Sequence, residues 1–190
     1  MAFVALLDAN ILFSAAVRDT MLRAAEKGLY RPAFTDEILN EMMGALIRQR
    51  PDLNAVRVER LAGVIRRAFP EALVTGYENL MPSMTNGEGD RHVLAAAVRI
   101  GAAVIVTENV RDFPAESRAP FEIDVQTADE FLLHLWSLSP ESMLTALQEQ
   151  ADDLRQPARD LDYVVETLSL TAPNFSKAVS EHRLSRATST

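Results

Sequence analysis

The chain has 190 residues, 48% of them apolar and 24% charged, which is the balance of a folded globular protein rather than a fibre or a disordered chain. Nineteen Lys and Arg against 27 Asp and Glu leave a net charge of −8, which argues against loose, non-specific coating of nucleic acid but not against a local basic surface. With no Cys and three His, disulfides, thiol catalysis and thiolate zinc sites are excluded, so any metal must be held mainly by oxygen.

Phe3–Leu7 is a continuous apolar run closed by Asp8-Ala9-Asn10, the pattern of a strand buried on both faces. Residues 1–7 meet Asp8 at once and follow no basic region, so they read as strand rather than signal peptide. No apolar run approaches the roughly 18 residues of a membrane span. A cytoplasmic protein without membrane contact is expected. A helix is predicted over Thr20–Lys27, stopped by Gly28. Thr35 is placed to cap the next one, with Asp36 and Glu37 in its first turn. There Ile38, Met42, Leu46 and Leu39, Met43, Ile47 recur at four-residue spacing as a wide apolar stripe. Glu41 stands at the stripe's edge, where a charge is costly unless compensated.

The helix predicted over Asn54–Phe69 puts Val58, Leu61, Ile65 and Phe69 on one face, with Arg60 and Arg67 roughly opposite. Between positions 48 and 67 six arginines (48, 50, 57, 60, 66 and 67) face only Asp52 and Glu59. That basic segment fits a solvated face, a phosphate-contacting rim or the seat of an acidic partner. Ala72–Val74 reads as a second short strand, and Asn86–Gly89 as a turn leading into Asp90. An Ala- and Val-rich helix, His92–Ile100, ends at Gly101. A buried strand, Ala103–Thr107, follows, then a third or edge strand over Phe121–Val125 and a helix from Thr127 to about Leu138. Helices alternating with short buried strands imply an α/β fold, its mostly parallel central sheet covered by helices on both faces. Pro140 then opens a fresh helix, and the pattern stays helical to about Leu184. The expected organisation is a domain over 1–138 and a helical C-terminal extension over 139–190, with Ser185–Thr190 frayed.

In an open parallel sheet, ligands bind beyond the carboxyl ends of the strands. Asp8 ends the first strand, Glu108 and Asp112 follow the Ala103–Thr107 strand, and Asp90 opens the helix leading into it. Each has an ordinary use by itself: a turn at Asp8, the helix dipole at Asp90, a snorkelling side chain at Glu41 and a packed imidazole at His92. Four acids converging at one sheet edge would repel one another unless a divalent cation neutralised them.

Asp8-Ala9-Asn10, Glu41, the run Gly89-Asp90-Arg91-His92-Val93-Leu94-Ala95 and Thr107-Glu108-Asn109-Val110-Arg111-Asp112-Phe113-Pro114 together resemble a PIN domain over roughly residues 3–135. That resemblance implies a Mg²⁺- or Mn²⁺-dependent ribonuclease, many bacterial members being VapC-type toxins of type II toxin–antitoxin pairs. It implies Asp8, Glu41, Asp90 and Asp112 as the catalytic acids, with Asp8, Asp90 and Asp112 on the metal. Asn10 and Thr107 would orient the carboxylates. RNA is the implied substrate and an antitoxin protein the implied partner, with homo-oligomerisation a further expectation. Asn109 departs from the pattern, standing where many relatives carry an acid, and leaves Asp112 or Glu108 to complete the set. It motivates the alternative of a catalytically weak PIN scaffold that binds RNA or regulates. The helical tail resembles the extension of a longer subgroup. A third role, Asp8 as a phosphoryl acceptor, lacks a nearby Asp-x-Asp pair and a Lys after the later strand.

Overall fold

The computed structural model describes residues 2–155 and 157–187. Packing divides the chain into two compact units, one of residues up to Ser14 with Tyr30–Gln126, the other of Ala15–Leu29 with Thr127 onward. In the first unit the elements are β1 (Val4–Leu7), α1 (Ala9–Phe13), β2 (Arg31–Ala33), α3 (Asp36–Gln49), α4 (Ala55–Ala68), α5 (Arg91–Ile100), β3 (Val104–Val106), α6 (Ala115–Arg118) and β4 (Asp124–Gln126). The second holds α2 (Ala15–Glu26), α7 (Ala128–Leu138), α8 (Pro140–Asp153), α9 (Leu161–Ser169) and α10 (Pro173–Ala187).

The four strands form one all-parallel sheet in the order β2-β1-β3-β4, with Leu7 beside Val106 and Val106 beside Gln126. Successive strand residues point to opposite faces, yet Ala5, Leu6, Leu7, Val104, Ile105 and Val106 are all buried, so both faces are covered. The chain runs outward from β1 to β2 and then returns to place β3 on the other side of β1. This reversal opens a crevice at the carboxyl ends of β1 and β3.

Several elements differ from the sequence reading. Asp8 caps a short helix, α1, over residues to which no element was assigned, its carboxylate taking the Ala9 amide at 2.7 Å. β2 was concealed by Pro32, which an edge strand tolerates since no ladder bond on its outer side is lost. The strand expected over Ala72–Val74 is reduced to a single parallel bridge, Phe34 to Leu73, because Pro70–Ala72 coils into a 3₁₀ turn immediately before it. A second 3₁₀ turn, Ala119–Phe121, delays the edge strand to Asp124–Gln126. Gly101 ends α5 in the left-handed conformation, φ +65°, where a side chain would be strained.

In the second unit, α2 and α7 pack their apolar faces with α8, α9 and α10. The packing division falls at 126/127, and it takes α2 with the C-terminal helices. Thr127 and Glu130 close a capping box at the start of α7. Asp129 in turn receives the Asn174 and Phe175 amides, capping α10 with a side chain from α7. Ser139 caps α8 with Pro140 in its first turn. Of the tail expected to fray, Ser185–Ala187 continues α10, and 188–190 lie outside the described residues. Among the described residues no helix is long and apolar enough to cross a membrane.

Candidate active site

The crevice at the switch point is built from the ladder outward. The Asp8 amide donates to the Val106 carbonyl at 3.0 Å, fixing the residue after β1 against the end of β3. Its carboxylate is then tied on both oxygens. Oδ1 accepts the Ala9 amide, while Oδ2 accepts the Asn10 side-chain amide at 2.8 Å and the Thr107 hydroxyl at 2.7 Å. Thr107 Oγ1 also accepts from Asn10 at 3.0 Å and from the Asn109 amide at 3.0 Å, and Asn10 Oδ1 accepts the Glu108 amide at 3.1 Å. Asn10 and Thr107 thus lace the ends of β1 and β3 together around one nearly buried carboxylate, 5% exposed. Thr107→Val keeps the shape but removes the donor to Asp8 and the acceptor for Asn10 and Asn109. It is expected to lower turnover roughly 10–100-fold, with a stability loss of about 1–3 kcal/mol. Single-turnover cleavage and urea denaturation of the same protein check both.

A cleft of about 640 Å³ opens above this knot, lined by Asp8, Asn10, Glu37, Glu41, Asp90 and Asn109, with Gly44 and Arg48 continuing its wall along α3. Asp90 stands at the N-cap of α5, and its carboxylate makes no capping bond. Burial raises the pKa of Asp90, and the charges of Asp112, Asp8 and Glu41 raise it further. Burial likewise holds Asp8 above its usual value, opposed by its bonds to Thr107 and Ala9 and reinforced by the charge of Glu41. Asp8, Glu41 and Asp90 share the cleft. Asp112 lies outside its lining and acts on it through its charge at Asp90, and Glu108 lies outside it too. Asn109, the departure from the family pattern, is in the wall.

His92 was read as a packed structural residue, and it is buried, but between acids. Its Nε2 lies 3.3 Å from Glu41 Oε1 and its Nδ1 3.6 Å from Glu37 Oε2. Burial disfavours the imidazolium, yet the carboxylate of Glu41, then those of Glu37 and Asp8, outweigh it and raise the pKa. Tyr77 donates to the same Glu37 oxygen at 3.2 Å. Glu37 was missed in the sequence because it reads as an ordinary first-turn acid; its four-residue spacing to Glu41 was the available signal.

The donor set suits a hard divalent ion: carboxylate and amide oxygens, no sulfur, and two acids whose charges destabilise each other. Among the described residues no three His, Asp or Glu side chains are gathered closely enough to cage an ion as they stand. Mg²⁺ does not need such a cage, since it usually keeps several waters and takes one or two carboxylates plus substrate oxygens. Asp8 and Asp90 are two cleft carboxylates that could serve such an ion.

Of the basic segment, Arg48 alone reaches the cleft wall. Arg50 and Arg66 are paired with Asp52 at 2.7 Å and Asp36 at 2.8 Å, and Arg57, Arg60 and Arg67 belong to α4 outside the lining.

A family model described as "PIN domain" matches residues 4–111, and one described as "VapC50 C-terminal domain" matches residues 128–181. Over 105 residues, 55% of this chain, the sequence is 35% identical to the Mycobacterium tuberculosis protein named "Putative ribonuclease VapC50". The match spans 62% of that protein's length. No solved structure matches the chain significantly.

Proposed function

The chain belongs to the PIN-domain family, and on that premise we propose that it is a cytoplasmic, Mg²⁺- or Mn²⁺-dependent endoribonuclease, the toxin of a toxin–antitoxin pair. Its nuclease body covers 1–138 and its helical extension 139–190. The observation that carries this reading is the buried carboxylate of Asp8, bonded on both oxygens and sharing one cleft with Glu41 and Asp90. Asp90 lies in the field of Asp8 and Glu41, and Glu41 itself meets the His92 imidazole.

A hard divalent ion, when bound, supplies positive charge for the phosphoryl oxygens and lowers the pKa of water at the site. The protein's own groups do the rest. Asn10, Thr107 and the Ala9 amide hold Asp8 in one orientation, so its lone pairs are directed before substrate arrives. Asp90 presents a carboxylate not spent on capping, and Asp112 completes the ligand set from the loop after β3. Glu41, half exposed and fixed on one side by His92, orients the attacking water and accepts its proton.

Purified protein incubated with single-stranded RNA should cleave it in millimolar Mg²⁺ or Mn²⁺, stop on chelation and resume when the ion is restored. A chain that cleaves equally well in excess chelator overturns metal dependence. A second reading, a PIN scaffold that binds RNA without cutting it, is favoured by Asn109 standing in the cleft wall. RNA binding without metal-dependent cleavage would select it.

A further inference from the structure

The cleft is acidic, and RNA is a polyanion, so something on its wall must receive phosphate. α3 carries Glu37, Glu41, Gly44 and Arg48 at spacings of four, three and four, one face of a helix, and all four line the cleft. Among the described residues no carboxylate lies within ion-pairing distance of the Arg48 guanidinium, although acids stand along the same face. Its neighbours in the basic segment, Arg50 and Arg66, are neutralised by Asp52 and Asp36.

A glycine lies beneath that guanidinium. Long helical side chains lean toward the N-terminus, and Arg48 folds back over Gly44. A Cβ built on Gly44 would stand 3.1 Å from Arg48 Nη1, inside ordinary contact distance. Gly in a helix interior is less stable than Ala, so α3 gives up stability where a Cβ would press the Arg48 guanidinium outward by a few tenths of an ångström.

We infer that Arg48 is the phosphate-binding residue of this cleft. Its planar fork takes the RNA phosphate flanking the one being cut, and Gly44 keeps open the slot in which the fork lies. The assignment rests on the nuclease reading above.

The test uses the full chain with Mg²⁺ and a short fluorescein-labelled single-stranded RNA. Arg48→Ala should weaken binding about tenfold, the loss sitting in KM more than in kcat. The slope of log Kd against log salt should flatten by about 0.7, the share of one phosphate contact on single-stranded nucleic acid. Arg48→Lys should recover part of the affinity. Gly44→Ala separates positioning from folding: it should melt about 2 °C higher while binding RNA about threefold more weakly. Wild-type KM and salt slope in Arg48→Ala, beside normal cleavage by the unaltered chain, overturn the role of Arg48 and leave the nuclease standing. Wild-type KM in Gly44→Ala overturns the slot. An unaltered chain that neither binds nor cuts RNA overturns the nuclease reading and the Arg48 assignment with it.

Discussion

Asp90→Asn protein is expected to lose RNA cleavage by at least ~10²–10³-fold, the scale on which removal of one preorganised charge-stabilising group is felt, and yet to melt higher than the unaltered chain when no metal is added. The two effects have one cause. Asp90 is partly buried, caps nothing, and lies in the field of Asp112, Asp8 and Glu41. Its folded-state pKa is therefore raised above the ordinary 3.8, which means that the folded chain holds the proton more tightly than the unfolded one. The stability that this represents is fully present below 3.8 and is lost as pH rises through the folded value. Asparagine, neutral throughout, keeps it. The gain in melting temperature should be about 1–2 °C near neutral pH, because the group is screened by solvent. It should vanish in acid. Adding Mg²⁺ should reverse the order, raising the melting point of the unaltered chain more than that of the variant. Calorimetry across pH, with and without Mg²⁺, checks the sign. A variant that melts lower at neutral pH without metal would mean that the Asp90 carboxylate is a structural partner and not a strained ligand.

That Asp8 and Thr107 meet at this cleft was legible because parallel topology gives position along the chain a meaning in space. Asp8 and Thr107 each follow a short run of buried residues, and adjacent parallel strands place such positions side by side. The contact between them, 99 residues apart in sequence, follows from the β1–β3 pairing. What could not be read was whatever depends on a third direction. The capping bond that turns Ala9–Phe13 into a helix is local but competes with an equally good turn at Asp8. β2 has three residues, one of them proline, too few for a periodicity to form. The slot over Gly44 exists only once Arg48 has a rotamer. The burial of His92 between Glu37 and Glu41 needs two helices placed against each other. The two-unit packing was hidden for a similar reason: α2 precedes the second strand in sequence, while its apolar face meets helices that come more than 100 residues later.

A chain ending at Ser139 is expected to be insoluble, or to melt far below the full protein, because it strips α2 and α7 of the helices that cover them. Val17, Met21 and Ala24 of α2, and Phe131, Leu132 and Leu135 of α7, are fully or nearly fully buried. So are Met143, Leu147, Val164, Leu168, Phe175 and Val179 on the helices removed. Burial of each larger side chain is worth roughly 1.5–3 kcal/mol, and the net stability of a domain is only about 5–15 kcal/mol. Losing even a few exceeds the margin. Polar ties go as well: Gln150 Oε1 lies 2.6 Å from Thr20 Oγ1 in a buried pair, Arg23 meets Asp153 at 2.7 Å, and α7 loses the α10 amides that Asp129 holds. The removed residues contribute nothing to the acidic cleft, whose lining comes wholly from the first unit. Any soluble fraction should therefore still cut RNA in Mg²⁺, with a KM close to that of the full chain. Fluorescence of a hydrophobic dye, melting temperature and cleavage measured on that fraction distinguish the outcomes. Full solubility with unchanged melting would show that α2 and α7 need no cover and that the packing of the second unit is not what stabilises them. A well-folded truncated protein without any cleavage would instead place part of the active site in the extension.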